Sequence, residues 1–85
     1  MEREQIFNLI SEWIYNNQYL ISLDYEDIQE SSNLSIDLGL DSLDRVGLAV
    51  YLEREFGISI NDEVGEKLET VKEVVDYVFS LCEIS

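Results

Sequence analysis

Leu38-Gly39-Leu40-Asp41-Ser42-Leu43-Asp44, running on to Glu55-Phe56-Gly57-Ile58-Ser59-Ile60, is the stretch that decides how this chain folds. Asp41 is placed to accept from the first backbone N–H groups of a helix, and Gly57 to take the left-handed conformation that ends one. Between them Leu43, Val46 and Val50, with the row Leu48, Leu52 and Phe56, make a broad apolar face at helical spacing. Ile58, just past Gly57, supplies the hydrophobic contact that accompanies a glycine-terminated helix.

Working outward, Ile6, Leu9, Ile10, Trp13 and Ile14 recur every three or four residues and line one side of a first helix that ends near Asn16-Asn17. From there to Leu40 the apolar residues Leu20, Ile21, Leu23, Ile28, Leu34, Ile36 and Leu38 keep no sustained period. A long first loop is expected, with a short turn at Tyr25 to Gln29. On the other side, Asp62 to Leu68 can form one or two turns with Val64 and Leu68 on one face, although Gly65 weakens it by roughly 1 kcal/mol. Thr70-Val71-Lys72-Glu73 has the form of a reciprocal cap, with the hydroxyl and the carboxylate each taking a backbone donor of the other. Val71, Val74, Val75, Val78, Phe79 and Cys82 then follow the helical period, which outweighs their β-branched character. The expectation is an all-α, four-helix bundle: three long helices, one short one and a long first loop, in a single domain spanning residues 1–85.

Nineteen acidic residues against five basic ones give a formal charge of -14, which repels nucleic-acid phosphates and anionic lipid. Such a field suits partners with basic patches, and equally well serves plain solubility. The amino terminus carries no signal-peptide pattern, and the apolar runs are far shorter than the ~20 residues that cross a bilayer. A soluble, cytoplasmic chain is expected, with no nucleic acid and no membrane as partner. The single cysteine, Cys82, can form no internal disulfide and is read as a small apolar residue on the inner side of the last helix.

Catalysis finds little to work with. The chain has no histidine, so the commonest general base is missing, and the glycines are too scattered for a phosphate loop. Twelve-residue calcium loops starting at Asp24 or at Asp37 fail at the glycine and glutamate positions. No enzyme and no built metal site are expected.

With these residues in view, the sequence resembles the acyl carrier protein family, whose attachment signature runs Leu-Gly-x-Asp-Ser-Leu, as in residues 38–43 here. The resemblance extends through Phe56-Gly57, Asp62-Glu63, Thr70-Val71 and Asp76-Tyr77. It implies an acyl-carrier bundle in which Ser42 bears 4'-phosphopantetheine, transferred from coenzyme A by a magnesium-dependent phosphopantetheinyl transferase, and carries acyl groups as thioesters on the arm. It further implies that Asp41 assists the transferase's metal and that Leu43, Asp44, Val46, Glu53, Asp62 and Glu63 meet acyl-processing enzymes through basic docking patches. Leu52, Ile60, Val64 and Leu68 are the expected lining of an acyl pocket, whose plain alternative is core packing. A monomer serving fatty-acid or related lipid or polyketide synthesis follows.

Two departures stand out. Gly47 occupies a position where bacterial fatty-acid carriers commonly have glutamate, and Arg54 interrupts the acidic strip. The stretch from Asn16 to Ile28 is also longer than usual. These features leave open a specialised carrier for polyketide, nonribosomal peptide or lipid modification, and from a different class an unmodified acidic helical interaction module.

Overall fold

The computed structural model describes residues 2–17 and 25–84. Its helices are α1 (Arg3–Asn16), α2 (Ser42–Phe56), α3 (Asp62–Lys67) and α4 (Val71–Ile84), with one 3₁₀ turn at Tyr25–Asp27. This is the all-α four-helix bundle of three long helices and one short one. The turn expected at Tyr25 to Gln29 is present, whereas Leu20, Ile21, Leu23 and most of the lengthened stretch lie outside the described residues.

Helix α1 packs most extensively on α4 and also meets α2 and the 3₁₀ turn. Ile6, Ile10 and Ile14 of α1 are fully buried with Val71, Val75 and Val78 of α4, as the three-and-four spacing of each segment requires. Leu48 and Leu52 bring α2 to the same core. The apolar face expected of α2 divides in two, however: Leu43, Val46 and Val50 face outward, because they sit on the side of the helix away from Leu48 and Leu52. The indole of Trp13 lies against Gly47, where a Cβ would come within 3.2 Å of Cζ2, so α1 and α2 meet closely at a residue without a side chain.

The segment before α2 folds inward. Ile28, Leu34, Leu38 and Leu40 are all buried, which drags polar backbone toward the core and requires partners for it. Asn33 supplies several of them. Its side-chain oxygen accepts from the N–H groups of Ser35 and Ile36, both at 2.9 Å, and its own N–H donates to Asp37 at 2.7 Å. An isolated antiparallel bridge then joins Asn33 to Thr70. Leu34 N–H donates to Glu69 O at 2.8 Å, Val71 N–H to Ser32 O at 3.1 Å and Lys72 N–H to Glu30 O at 2.8 Å. Gly39, at φ 69°, turns the chain back toward α2.

The cap of α4 departs from expectation in one half. Glu73 N–H donates to Thr70 Oγ1 at 3.2 Å as foreseen, but the Glu73 carboxylate takes the Thr70 hydroxyl at 3.3 Å rather than the Thr70 N–H. The bridge to Asn33 sets the backbone of Thr70, and its hydroxyl is then the donor within reach.

Arg3 joins three parts of the bundle by pairing with Glu30 of the loop at 2.6 Å and with Asp76 of α4, while Lys72 meets Asp76 at 2.9 Å. The hydrogen bond from Lys72 is the largest influence on the Asp76 carboxyl; with the bond and charge of Arg3 it outweighs desolvation and holds that carboxyl below the usual aspartate value. Because the folded carboxyl is the more acidic, its contribution to stability is complete above the ordinary aspartate range and is lost as pH falls through the depressed value. Denaturant melts of Asp76→Asn and of the native chain should therefore differ at neutral pH and converge as pH falls below the ordinary aspartate range. A difference that persists in acid would exclude the ion pairs as its cause.

Ser11 is fully buried on α1, and its hydroxyl meets no hydrogen-bond partner among the described residues. An unmet buried hydroxyl costs about 1–3 kcal/mol, and alanine is also the better helix former. Ser11→Ala should raise the thermal midpoint, by an amount corresponding to about 1 kcal/mol.

Candidate functional site

The loop that ends at Leu40 delivers Asp41 in an extended conformation as the N-cap of α2. Asp44 N–H donates to Asp41 Oδ1 at 2.8 Å, and Asp41 N–H donates back to Asp44 Oδ2 at 3.2 Å. Two aspartates thus form a reciprocal cap. Ser42, the first residue of α2, is exposed immediately beyond it. The other end of α2 closes as the sequence requires: Gly57 lies at φ 63°, ψ 39°, and Ile58 N–H donates to Glu53 O at 3.2 Å.

Around Ser42 the surface is apolar with an acidic rim. Leu43 is 81% exposed, Val46 61% and Val50 42%, which is unusual for side chains of this size at one helix face. Asp62 and Glu63 are exposed at the start of α3, whose N-cap Asn61 accepts from Glu63 N–H at 2.8 Å. Two of the acidic residues expected to face partners are also occupied internally. Asp44 is half of the cap, and Glu53 accepts from Ile60 N–H at 3.0 Å, holding the α2–α3 connection against α2.

An open groove of about 500 Å³ runs from Ser42 between α2 and α3, past Val46, Ala49 and Val50 to Ile60. Behind it lies a cavity of about 40 Å³ lined by Leu34, Leu48, Leu52, Ile60, Leu68 and Val74 among others. Three of the four expected pocket residues therefore meet, and Val64 does not line either space. The reason is local. Leu68 is the C-cap of α3 at ψ 118°, so the four-residue helical spacing that would place it beside Val64 no longer applies, and Gly65 faces the cavity instead.

Arg45 was not singled out by the sequence. Its Nη2 donates to Gly65 O at 3.1 Å and to Leu68 O, with Glu66 O at 3.4 Å. The partners are main-chain carbonyls, which carry no residue-type signal. Asn61 was legible, since Asn61-Asp62-Glu63 has the form of a cap followed by an acidic first turn.

Ser42 thus displays a hydroxyl at a helix start, in a chain that holds no histidine. The fit to a phosphodiester is direct: the hydroxyl is exposed, the helix dipole is positive there, and a groove leads away from it. Among the described residues no group of three His, Cys, Asp or Glu side chains could hold a metal ion, and no helix is long and apolar enough to cross a membrane.

The model of the phosphopantetheine attachment site family matches residues 20–78. The acyl carrier protein of Lactobacillus acidophilus is 40% identical over 80 residues, covering 94% of this chain and 96% of that one, and that of Coprothermobacter proteolyticus is 40% identical over 80 residues, covering 94% of each. The crystal structure of an acyl carrier protein from Thermotoga maritima superposes with a TM-score of 0.77 at 29% identity, covering 99% of this chain and 94% of that one. The chain belongs to the acyl carrier protein family, and its prosthetic group is 4'-phosphopantetheine.

Asp41→Ala leaves Asp44 N–H without its acceptor and should cost about 1 kcal/mol, while Asp41→Asn, which keeps a side-chain oxygen, should cost less. Chemical denaturation of the two variants checks the order; equal losses would remove the cap as the explanation.

Proposed function

We propose that Ser42 carries the arm and that the chain presents acyl groups, as thioesters of the arm's terminal thiol, to acyl-processing enzymes. The observation that supports this best is the exposed Ser42 hydroxyl at the first position of α2, fixed by the Asp41–Asp44 cap. The chain's own residues act by display and orientation. Asp41 and Asp44 hold the helix start rigid, and the dipole of α2 favours the attached anion. Activation of the hydroxyl falls to a phosphopantetheinyl transferase, whose magnesium Asp41 would help to hold. The chain itself catalyses no reaction.

Leu43, Val46 and Val50 form the apolar centre of the docking face, and Asp62, Glu63 and Glu66 its acidic rim, a combination suited to a basic patch around a hydrophobic pocket. The protein works as a cytoplasmic monomer in fatty-acid synthesis or related lipid or polyketide assembly. One observation favours a specialised carrier over the general fatty-acid one: the indole of Trp13 occupies the space above Gly47, so the face there offers an aromatic edge where an acid is usual.

Incubation with coenzyme A, magnesium and a broad-specificity transferase should add one arm to the native chain and none to Ser42→Ala. A native chain that gains no mass under conditions that load another carrier would establish the unmodified interaction module instead.

A further inference from the structure

Arg45 lies one turn after Ser42 on the same side of α2. Its side chain crosses to α3, where its guanidinium donates to the carbonyls of Gly65, Glu66 and Leu68. Gly65 and Glu66 lie in the last turn of α3 and Leu68 is its C-cap; this end carries the negative end of the helix dipole, and Gly65 O also accepts from Leu68 N–H at 3.3 Å. Helix α3 is only six residues long and contains no buried side chain; the Glu53 bond to Ile60 N–H holds the connection before it, and Arg45 ties its far end. Arg45 also lines both spaces beside α2, the open groove that begins at Ser42 and the small cavity behind it. It therefore stands at the partition between the place where the arm begins and the apolar interior.

The cavity measures about 40 Å³, well short of the roughly 150 Å³ in which a single benzene ring is held. An acyl chain can reach the interior only if α2 and α3 separate. Separation strips a charged donor from the carbonyls of Gly65 and Leu68, residues that line the cavity together with Leu34, Leu48, Leu52 and Val74. The groove, at about 500 Å³, needs no such opening.

We propose that Arg45 is a latch that sets how this carrier holds its cargo: it bars saturated acyl chains from the interior and leaves them in the groove along Val46, Ala49, Val50 and Ile60. The cargo then stays open to water and to partner enzymes whatever its length. Arg45 is thus a specificity-determining residue, and the inference rests on the reading of Ser42 as the attachment point.

The test loads the native chain and Arg45→Ala with butanoyl, octanoyl and dodecanoyl arms and follows thioester cleavage by hydroxylamine and the thermal midpoint. In the native chain the cleavage rates should agree within about twofold across the three lengths, with a flat midpoint. In Arg45→Ala dodecanoyl should be cleaved at least about fivefold more slowly than butanoyl, with a midpoint that rises with length, as burial of several methylenes demands. A native chain that protects dodecanoyl as well as Arg45→Ala does would overturn the latch. If Arg45→Ala does not fold, Arg45→Met decides: it keeps an apolar side chain of similar length and loses every donor, so dodecanoyl should be protected in it as expected for Arg45→Ala, and protection no greater than in the native chain counts against the proposal. If the transferase leaves the native chain unloaded, the attachment reading fails alone. The latch is then judged with Ser42→Cys in a Cys82→Ser background, alkylated by N-alkyl maleimides of the same lengths, with Arg45 intact and replaced. The same dependence of the midpoint on length is expected only where Arg45 is replaced, and its appearance with Arg45 intact would refute the latch.

Discussion

The fold turns on the cost of burying backbone in the first loop. Leu34, Leu38 and Leu40 complete the core that α1, α2 and α4 leave open, and each carries its peptide groups inward with it. An unpaired peptide group there would cancel much of what the side chain contributes, since a leucine yields about 1.5–3 kcal/mol on burial and a lost hydrogen bond costs a similar amount. The chain resolves the conflict with Asn33, Asp37 and the short bridge to the residues before α4. That same pairing fixes where Leu40 ends and hence where Asp41 can cap α2. The placement of Ser42 is thus determined from a distance, by contacts between residues 30–34 and residues 69–72.

The acidic excess is used in two ways. Asp41, Asp44 and Glu53 are tied to backbone donors, so part of the negative charge near Ser42 is architectural. Asp62, Glu63 and Glu66 remain exposed beside an apolar stripe and, in the function proposed, are the charges that meet a partner. A carboxylate serves equally well as cap and as docking charge, and composition cannot divide the two. The few cations are placed with comparable economy: Arg3 and Lys72 close the α1, loop and α4 junction, and Arg45 closes α2 on α3.

The helices and the site signature were legible in the sequence because both rest on local rules. Period, cap and glycine terminator define α2 within a residue, and the carrier signature lies on its first turn. The direction in which α2 turns its apolar residues was less legible. Spacing alone puts Leu43, Val46, Val50, Leu48 and Leu52 on one broad apolar face; the family resemblance marked Leu43 and Val46 as contacts for partners, and the position of α1 and α4 decides that Val50 stays outside with them. The grouping of Val64 with Leu68 failed for the related reason that α3 ends before Leu68, so a helical wheel no longer describes it.

By itself the sequence determined the class of fold, the start and end of α2, the exposed serine's place in a carrier signature and the sign of the surface field, since each is set by near neighbours along the chain. Only the tertiary structure decided that the first loop is a core element, that Trp13 fills the space over Gly47, and that Arg45 ties α2 to the carbonyls of α3. Those depend on main-chain groups and on contacts between residues far apart in the chain, and neither leaves a mark in the identity of the side chains.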